Sequence, residues 1–173
     1  PYQFRQFWMQ LSDIDIEKML PQFSLRSMDE IYEILTEQRA RPESRVAQRT
    51  LARELTELLH GEESAVAAEQ AADVLFGANP ISASPAALHL IASEVAGSAM
   101  GKAALGDAVS VLVLTGLATS NTEARRLLTQ RSVRANGEQI DEHTKLDKIP
   151  LLHSRWLLLR KGKTAYHLID FQG

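Results

Sequence analysis

The chain has 173 residues, a formal net charge of -3 and no cysteine, which excludes zinc–thiolate sites and cysteine nucleophiles and favours a reducing compartment. No run of about 18 apolar residues occurs and no charged-then-apolar leader opens the sequence, so we expect neither a membrane span nor a secretion signal.

The first hundred residues predict a series of amphipathic helices. Ser12 is placed to open one helix, and Ser27 with Glu30 forms a capping box for the next. Further helices are predicted over about 43–60 and 62–76, and from Ser84 onwards. An aromatic stripe at the start of the chain indicates a core-facing helix, with ligand stacking as the alternative. Its members are Tyr2, Phe4, Phe7, Trp8 and Leu11.

Three arginines follow one another at intervals of four on the helix predicted over 43–60. Arg45, Arg49 and Arg53 would form one basic ridge. Two interpretations stay open at this point. The ridge is either a solvated face partly paired with Glu54 and Glu57, or a surface that contacts a phosphate backbone.

A small-residue segment over 97–106 indicates a junction between two domains. We expect an α-helical domain over 1–100, a linker over 101–106 and a second domain over 107–173. Residues 1–103 carry nine Lys and Arg against 15 Asp and Glu, whereas residues 104–173 carry ten against seven. The second domain is therefore the half suited to a polyanion.

The second domain begins with a short apolar helix from Asp107 to Gly116, and a second short helix follows it. Ser120 and Glu123 have the spacing of a capping box for that second helix. At 100° per residue, Arg125 and Arg126 fall on the side opposite its apolar residues, so we expect both guanidiniums in solvent. The apolar side consists of Ala124, Leu127 and Leu128.

Two hairpins are predicted after these helices. Asn136-Gly137 is the favoured two-residue turn between short alternating strands. A second hairpin is predicted around Lys161-Gly162, where Arg160, Lys161 and Lys163 gather. The fold class is therefore α+β, with an all-α part followed by a small α+β part with hairpins.

The cations of the second domain would form one RNA-binding surface if its second helix packs beside both hairpins. The free N–H groups of the helix that opens at Ser120 would add an anion site. Ordinary solvated charges remain the alternative. The candidate cations are Arg125, Arg126, Arg131, Arg134, Arg160, Lys161 and Lys163.

The segment "SNTEARRLLTQRSVRANG" with the closing basic hairpin resembles the αL RNA-binding domain. That domain is shared by a small-subunit ribosomal protein, some pseudouridine synthases and bacterial tyrosyl-tRNA synthetases. The sequence departs from the family pattern at Arg131-Ser132, where the family often has glycines, and at Ala135, where it favours valine.

Two further segments are similar to bacterial tyrosyl-tRNA synthetases alone. "PYQFRQFWMQLSDIDIEKML" resembles the segment that follows their catalytic domain, and "RVAQRTLARELTELLHG" resembles one of their helices. With the αL domain in the expected order, the resemblance covers nearly the whole chain. No "HxGH" and no "KxSKS" motif occurs, so we expect a C-terminal fragment that lacks the catalytic domain and is inactive alone.

The resemblance implies a class I tyrosine–tRNA ligase that is cytoplasmic and homodimeric and whose ATP and Mg²⁺ belong to a catalytic domain absent here. It implies that this fragment uses no cofactor, binds the anticodon stem and variable arm of tyrosine tRNA, and binds no DNA and no membrane. No catalytic residue and no metal ligand is expected, because the histidines lack metal-ligand spacing. Those histidines are His60, His89, His143, His153 and His167.

The resemblance also implies which residues bind RNA. Matching positions are Arg125, Arg126, Arg160, Lys161 and Lys163, and weaker candidates are Ser120, Arg131, Arg134 and Asn136. Asn136 also has the alternative role of forming its turn. Two other functions are weighed against the synthetase: a stand-alone αL RNA-binding or ribosome-associated protein, and a helical protein-interaction module.

Overall fold

The computed structural model describes residues 1–101 and 105–171. Its contacts divide the chain into two compact units, Pro1–Glu69 and the described residues from Gln70 onwards. The predicted α+β class is confirmed, with helices first and a sheet later. The domain boundary over 101–106 stays a prediction, and residues 102–104 of it lie outside the described residues.

The first unit is a set of helices around one apolar core. Ile16, Leu20 and Leu51 are fully buried there, and Phe4 and Trp8 pack against this core from the first helix. The helices are α1 (Tyr2–Met9), α2 (Asp13–Phe23), α3 (Met28–Ala40), α4 (Val46–His60) and the start of α5 (Glu62–Leu75).

Local chemistry explains where α2 and α3 begin. The Ser12 side chain accepts the Asp15 N–H at 3.1 Å, and Ser27 with Glu30 forms the predicted capping box. Pro21 lies inside α2, which continues to Phe23. A proline without an N–H costs this helix one backbone hydrogen bond near its end.

The aromatic stripe of α1 faces the core only in part. Phe4, Trp8 and Leu11 pack against buried residues, which confirms the core-facing prediction for them. Phe7 is 59 % exposed, so the prediction was wrong for this ring, whose edge contacts Trp8 with the ring centroids 5.2 Å apart.

The second unit holds a five-stranded sheet with helices around it, in the part of the chain that the structure describes. Its helices after α5 are α6 (Pro85–Glu94), α7 (Ala108–Leu114) and α8 (Asn121–Thr129). Its strands are β1 (Ala96–Ala99), β2 (Val133–Ala135), β3 (Glu138–Gln139), β4 (Trp156–Lys161) and β5 (Ala165–Asp170). The strand order is β1-β5-β4-β2-β3, with β1 parallel to β5 and the other pairs antiparallel.

The sequence did not predict β1, which lies within residues 1–100, assigned above to helices. Its residues are "AGSA", which have no strand propensity of their own. The strand exists because it pairs with β5 about 70 positions later, from Ala96 opposite His167 to Ala99 opposite Asp170. A partner so distant leaves no mark in a local sequence pattern.

The two faces of the sheet pack on different elements of the second unit. Leu157 and Leu159 point to the face that shares a core with α7 and α8. Alternation along β4 puts Trp156 and Leu158 on the opposite face. There the Trp156 ring contacts His89 of α6 with the ring centroids 5.1 Å apart. A cation on this sheet therefore faces either α8 or the region of α6, according to its position along the strand.

Candidate nucleic-acid interface

Helix α8 begins with a modified form of the predicted capping box. The Ser120 side chain accepts the Glu123 N–H at 3.2 Å, as expected. The Glu123 carboxylate, however, accepts the N–H and the hydroxyl of Thr119 at 2.7 and 2.6 Å, one residue further back than predicted. These bonds, with weaker contributions from Lys161 and Arg126, hold the pKa of Glu123 below its usual value.

The two sides of α8 are divided as the sequence predicted. Ala124 and Leu128 are fully buried against the sheet, whereas Arg125 and Arg126 are exposed. Neither guanidinium has a carboxylate partner among the described residues. The helix therefore presents two adjacent cations that form no ion pair with the described residues, on a fixed support.

The end of α8 is closed by a Schellman motif with an unusual residue in it. Arg131 has a φ of 52°, a left-handed conformation that favours glycine. The Arg131 N–H donates to the Leu128 carbonyl at 2.9 Å, and the Ser132 N–H donates to the Leu127 carbonyl at 3.1 Å. The departure from the glycine of the family pattern is thus absorbed by strain at Arg131, and the turn is kept.

Hydrogen bonds to backbone carbonyls join this helix end to both hairpins. Gln139 of β3 donates its side-chain amide to the Arg131 carbonyl, and the Gly162 N–H donates to the Ser132 carbonyl at 2.8 Å. The β4–β5 turn, with exposed Lys163, therefore lies beside the end of α8.

Lys161 also lies on the α8 side of the sheet. Its register partner is Val133, whose side chain is in the core under α8, and its Nζ lies 3.9 Å from Oε1 of Glu123. We call the cations on this side the α8 surface. They are Arg125, Arg126, Arg131, Lys161 and Lys163.

Arg134 and Arg160 do not belong to the α8 surface. They are register partners on β2 and β4, so their side chains share one face of the sheet. That face is opposite to the one occupied by Val133 and Lys161. Five of the seven candidate cations therefore lie on one surface, and two do not. One of the five, Lys161, lies near the Glu123 carboxylate.

The other two candidate residues serve the fold first. Ser120 is exposed and caps α8. Asn136 is only 7 % exposed, with a φ of 48° in the hairpin turn. Its side chain bonds to the Leu158 N–H and the Pro150 carbonyl, both at 2.8 Å, so the turn role is the one that its contacts support.

The predicted arginine ridge is not a free basic surface, and Arg45 lies just before α4 with a left-handed φ of 50°. Arg45 donates to the carbonyls of Met9 and Leu11 at 2.6 and 2.9 Å. Arg53 pairs with Glu69 at 2.6 Å and with Glu57 at 3.3 Å. Only Arg49 of the three is exposed. These contacts favour the paired-face interpretation over contact with phosphate, although Glu54, expected as a partner, pairs with Arg26 instead.

Sequence reasoning missed a cavity on the sheet face opposite α8. It has a volume of about 360 Å³ and is bordered by the 77–80 loop and by Arg134, Arg160 and Tyr166. The loop lies more than 50 positions before β2 in the chain, so no local spacing could have predicted that it borders these arginines.

The described residues offer neither a metal centre nor a membrane-spanning helix. No group of three or more His, Asp or Glu side chains within 1–101 and 105–171 is placed to hold a metal ion. No helix in that part of the chain is both long enough and apolar enough to pass through a membrane.

Comparison with known proteins identifies the family. A family model described as "tRNA synthetases class I (W and Y)" matches residues 1–77, and one described as "Tyrosine--tRNA ligase SYY-like C-terminal domain" matches residues 91–169. The first match gives the class, the class I tRNA synthetases. The second match identifies the family within that class: the chain belongs to the tyrosine–tRNA ligase family.

Individual relatives agree with this family. Tyrosine--tRNA ligase of Streptomyces griseus is 40 % identical over 94 % of this chain and 38 % of its own length. That of Roseiflexus castenholzii is 36 % identical over 98 % of this chain and 41 % of its own length. The chain thus spans about two fifths of the curated relatives that it matches.

Solved structures also match, among them a C-terminally truncated mitochondrial tyrosyl-tRNA synthetase of Aspergillus nidulans. It is 36 % identical and covers 43 % of this chain and 22 % of its own, with a TM-score of 0.42. At that score the superposition supports no structural argument, and the family assignment stands on the sequence matches.

Proposed function

We propose that this chain is the tRNA-binding part of a tyrosine–tRNA ligase and that the α8 surface contacts tyrosine tRNA. The observation that carries the proposal is the pair of exposed, adjacent guanidiniums of Arg125 and Arg126, which lack carboxylate partners among the described residues. Arginine offers planar, forked donors that suit phosphate oxygens, and such contacts supply most RNA affinity.

The way the α8 surface is supported favours binding to a folded RNA backbone. Buried Ala124 and Leu128 fix the helix on the sheet, and the Schellman motif fixes the Arg131 backbone beside the β4–β5 turn. A rigid support lowers the conformational entropy lost on binding, because only side chains have to be ordered. The five cations then offer several phosphate contacts along one side of the unit.

The activity of the whole protein is part of the same proposal. A ligase of this family would attach tyrosine to its tRNA with ATP and Mg²⁺, as a cytoplasmic homodimer. The residues of this chain do not fit an ATP or magnesium site, since neither "HxGH" nor "KxSKS" occurs and no described acidic cluster could hold the ion. We therefore assign no catalytic step to any residue here.

The alternative of a stand-alone αL or ribosome-associated protein is not favoured. The family model that matches residues 1–77 is itself a class I tRNA synthetase model, so the helical part is not unrelated to the αL part. A helical protein-interaction module is not favoured either, because it would leave the similarity of both halves to tRNA synthetases unexplained.

The test is fluorescence anisotropy of labelled tyrosine tRNA with this chain at several salt concentrations. We expect binding that weakens with salt, and weaker binding to a transcript without the variable arm. The Arg125→Ala/Arg126→Ala double variant should bind less tightly and reduce the slope of log K against log salt by about 2 at most.

A matched control removes two arginines that are already ion-paired. Arg39 and Arg41 of the first unit pair with Glu17 and Glu37, each at 2.7 Å. The Arg39→Ala/Arg41→Ala variant should keep the wild-type affinity and slope. Equal losses in both double variants would show a non-specific charge effect, and binding of a DNA duplex with the same affinity would contradict RNA recognition.

A further inference from the structure

Arg134 and Arg160 form a pair of like charges that the α8 surface does not use. They are directly opposite one another in the antiparallel β2–β4 ladder, where like charges destabilise a sheet. Among the residues that the structure describes, neither guanidinium has a carboxylate within ion-pair distance. An anion bound between them would offset this repulsion.

Each arginine is held in place by one bond and keeps other donors. Arg134 donates Nη1 to the Gly137 carbonyl at 2.9 Å, and Arg160 donates Nε to the Gly162 carbonyl at 2.9 Å. The Arg160 guanidinium also lies 5.5 Å from the centroid of the Tyr166 ring. A guanidinium has five N–H donors, so up to four remain on each arginine for a ligand.

The Tyr166 ring gives the cavity a fixed wall. Its hydroxyl donates to the Val74 carbonyl at 2.9 Å, and burial raises the pKa of this hydroxyl, which keeps the donated proton in place. Because the ring is fixed at both ends, the Arg160 guanidinium over it is also restrained.

The 77–80 loop forms the opposite wall and approaches unusually closely. Gly77 has a φ of 111°, and a Cβ built there would lie 3.1 Å from Nη1 of Arg160. Gly137 is similarly close to Asn79, with 2.9 Å from an ideal Cβ to Oδ1. The positive φ favours glycine at both positions, and at Gly137 a Cβ would also collide with Asn79. The loop and the arginines therefore border a concave space that is partly open to solvent.

The size and lining of this space indicate what it would hold. A volume of about 360 Å³ exceeds that of a lone phosphate and lies at the small-molecule end of ligand sites. The two arginines supply the cationic part of its lining, and Leu158 and Pro80 supply an apolar part. A nucleotide combines an anionic phosphate with an apolar, stackable base, which matches this division.

We propose that this cavity binds one unpaired nucleotide of RNA, with its phosphate between Arg134 and Arg160. The inference rests on the proposed RNA-binding function and adds to it a second contact, on the sheet face opposite α8. An RNA that reaches both places has to bend around the border of the sheet, for example at β3, the edge strand beside β2. A single-stranded or bulged segment can follow that path, whereas a straight duplex cannot.

The test measures tyrosine tRNA binding of the whole chain with two independent alterations of the cavity. Arg134→Gln/Arg160→Gln removes the charges, and Ala78→Phe fills the space without changing charge, since Ala78 is exposed and lines the cavity. Each should weaken binding about tenfold, the worth of one charge-assisted contact. Each should lower the salt slope by about 0.7–0.9, because one phosphate is lost.

Matched controls separate the cavity from general effects. Lys148→Gln removes an exposed cation elsewhere in the second unit, and Ala92→Phe adds a ring on an exposed position of α6. Both should retain wild-type affinity. Thermal unfolding by circular dichroism checks that every variant is folded, and Ala78→Phe keeps the test valid if the arginine variant is not.

The outcomes distinguish the two proposals. If the wild-type chain does not bind tRNA, the proposed function fails and the cavity proposal with it. If the wild type binds, the Arg125→Ala/Arg126→Ala variant is weaker and both cavity variants are unchanged, the cavity proposal alone is overturned. A last experiment titrates adenosine 5′-monophosphate into the wild-type chain and follows the NMR amide signals of Gly77 and Gly137. Saturation of these signals below about 100 µM would identify a free-nucleotide site and overturn the RNA assignment.

Discussion

Asn136 and Leu158 exchange two hydrogen bonds of 2.8 Å, one from the Asn136 N–H to the Leu158 carbonyl and one from the Leu158 N–H to Oδ1 of Asn136. The asparagine side chain thus takes the place of a backbone acceptor beside β4, just where β2 ends. Nδ2 of the same side chain donates to the Pro150 carbonyl at 2.8 Å. One turn residue therefore ties the hairpin to two separate segments.

Replacement of this residue should affect stability and leave RNA affinity intact. Asn136→Ala should lower the free energy of unfolding by about 3 kcal/mol, because the buried Leu158 N–H and the partly buried Pro150 carbonyl lose their hydrogen bonds and alanine disfavours a positive φ. Asn136→Gly restores the backbone freedom and should recover about 1 kcal/mol of this loss. Urea unfolding measures both values. A large loss of tRNA affinity in folded Asn136→Gly would instead support the direct RNA contact predicted for this residue.

Strain at Arg131 predicts a stabilising substitution. A left-handed conformation costs a non-glycine residue about 1–2 kcal/mol, and glycine loses about 0.5–1 kcal/mol more backbone entropy on folding. Arg131→Gly should therefore raise the free energy of unfolding by about 0.5–1 kcal/mol. Gln130→Gly, at a φ of -73°, should have the opposite sign. If Arg131 contacts a phosphate, the same variant should reduce the salt slope of tRNA binding by about 0.7–0.9.

Glu123 is expected to stabilise α8 while reducing its affinity for RNA. Its pKa is lowered by the Thr119 bonds, so its stabilising contribution is present above the usual carboxyl value of 4.5 and is lost as pH falls through the lowered pKa. Glu123→Gln should be less stable at pH 7 and should lose less stability than wild type on acidification below 4.5. It should also bind tRNA more tightly, because Lys161 loses its acidic neighbour. Tighter binding would be absent if Lys161 lies outside the interface.

Buried His167 predicts a second pH dependence, at higher pH. The imidazole is 5 % exposed, its Nε2 lies 2.9 Å from the Ser98 hydroxyl, and burial lowers its pKa below the usual 6.5. Protonation is therefore favoured in the unfolded chain, so stability is complete above pH 6.5 and falls as pH is lowered below it. His167→Gln should flatten this fall between pH 7 and 5.5 in urea unfolding. His143→Gln, whose side chain is 85 % exposed, should leave it unchanged.

Features set by short-range sequence patterns could be predicted. The exposure of Arg125 and Arg126, the Asn136-Gly137 turn and the Ser27 capping box depend on neighbours within a few residues. Helical and strand periodicity state such relationships directly. The Glu123 bond moved to Thr119 because a carboxylate at this position reaches either of two adjacent N–H groups, and spacing alone does not choose between them.

Features set by the sheet could not be predicted in the same way. The division of Lys161 from Arg160 between two faces follows from alternation, but which face α8 covers depends on the packing of Leu157 and Leu159. The cavity depends on a loop brought to the sheet from a distant part of the chain. Residue composition identified the cations, and only the register separated them into two groups.

The pairing of β1 with β5 bears on how small an RNA-binding piece of this protein can be made. β5 has β4 on one side and β1 on the other, so a polypeptide shortened to begin at Asp107 would lose the strand that covers residues from His167 to Asp170. An exposed edge strand of this kind pairs with strands of other molecules. Such a fragment should self-associate in solution. A minimal RNA-binding fragment that stays monomeric should therefore begin before Pro85, so that it keeps α6 and β1.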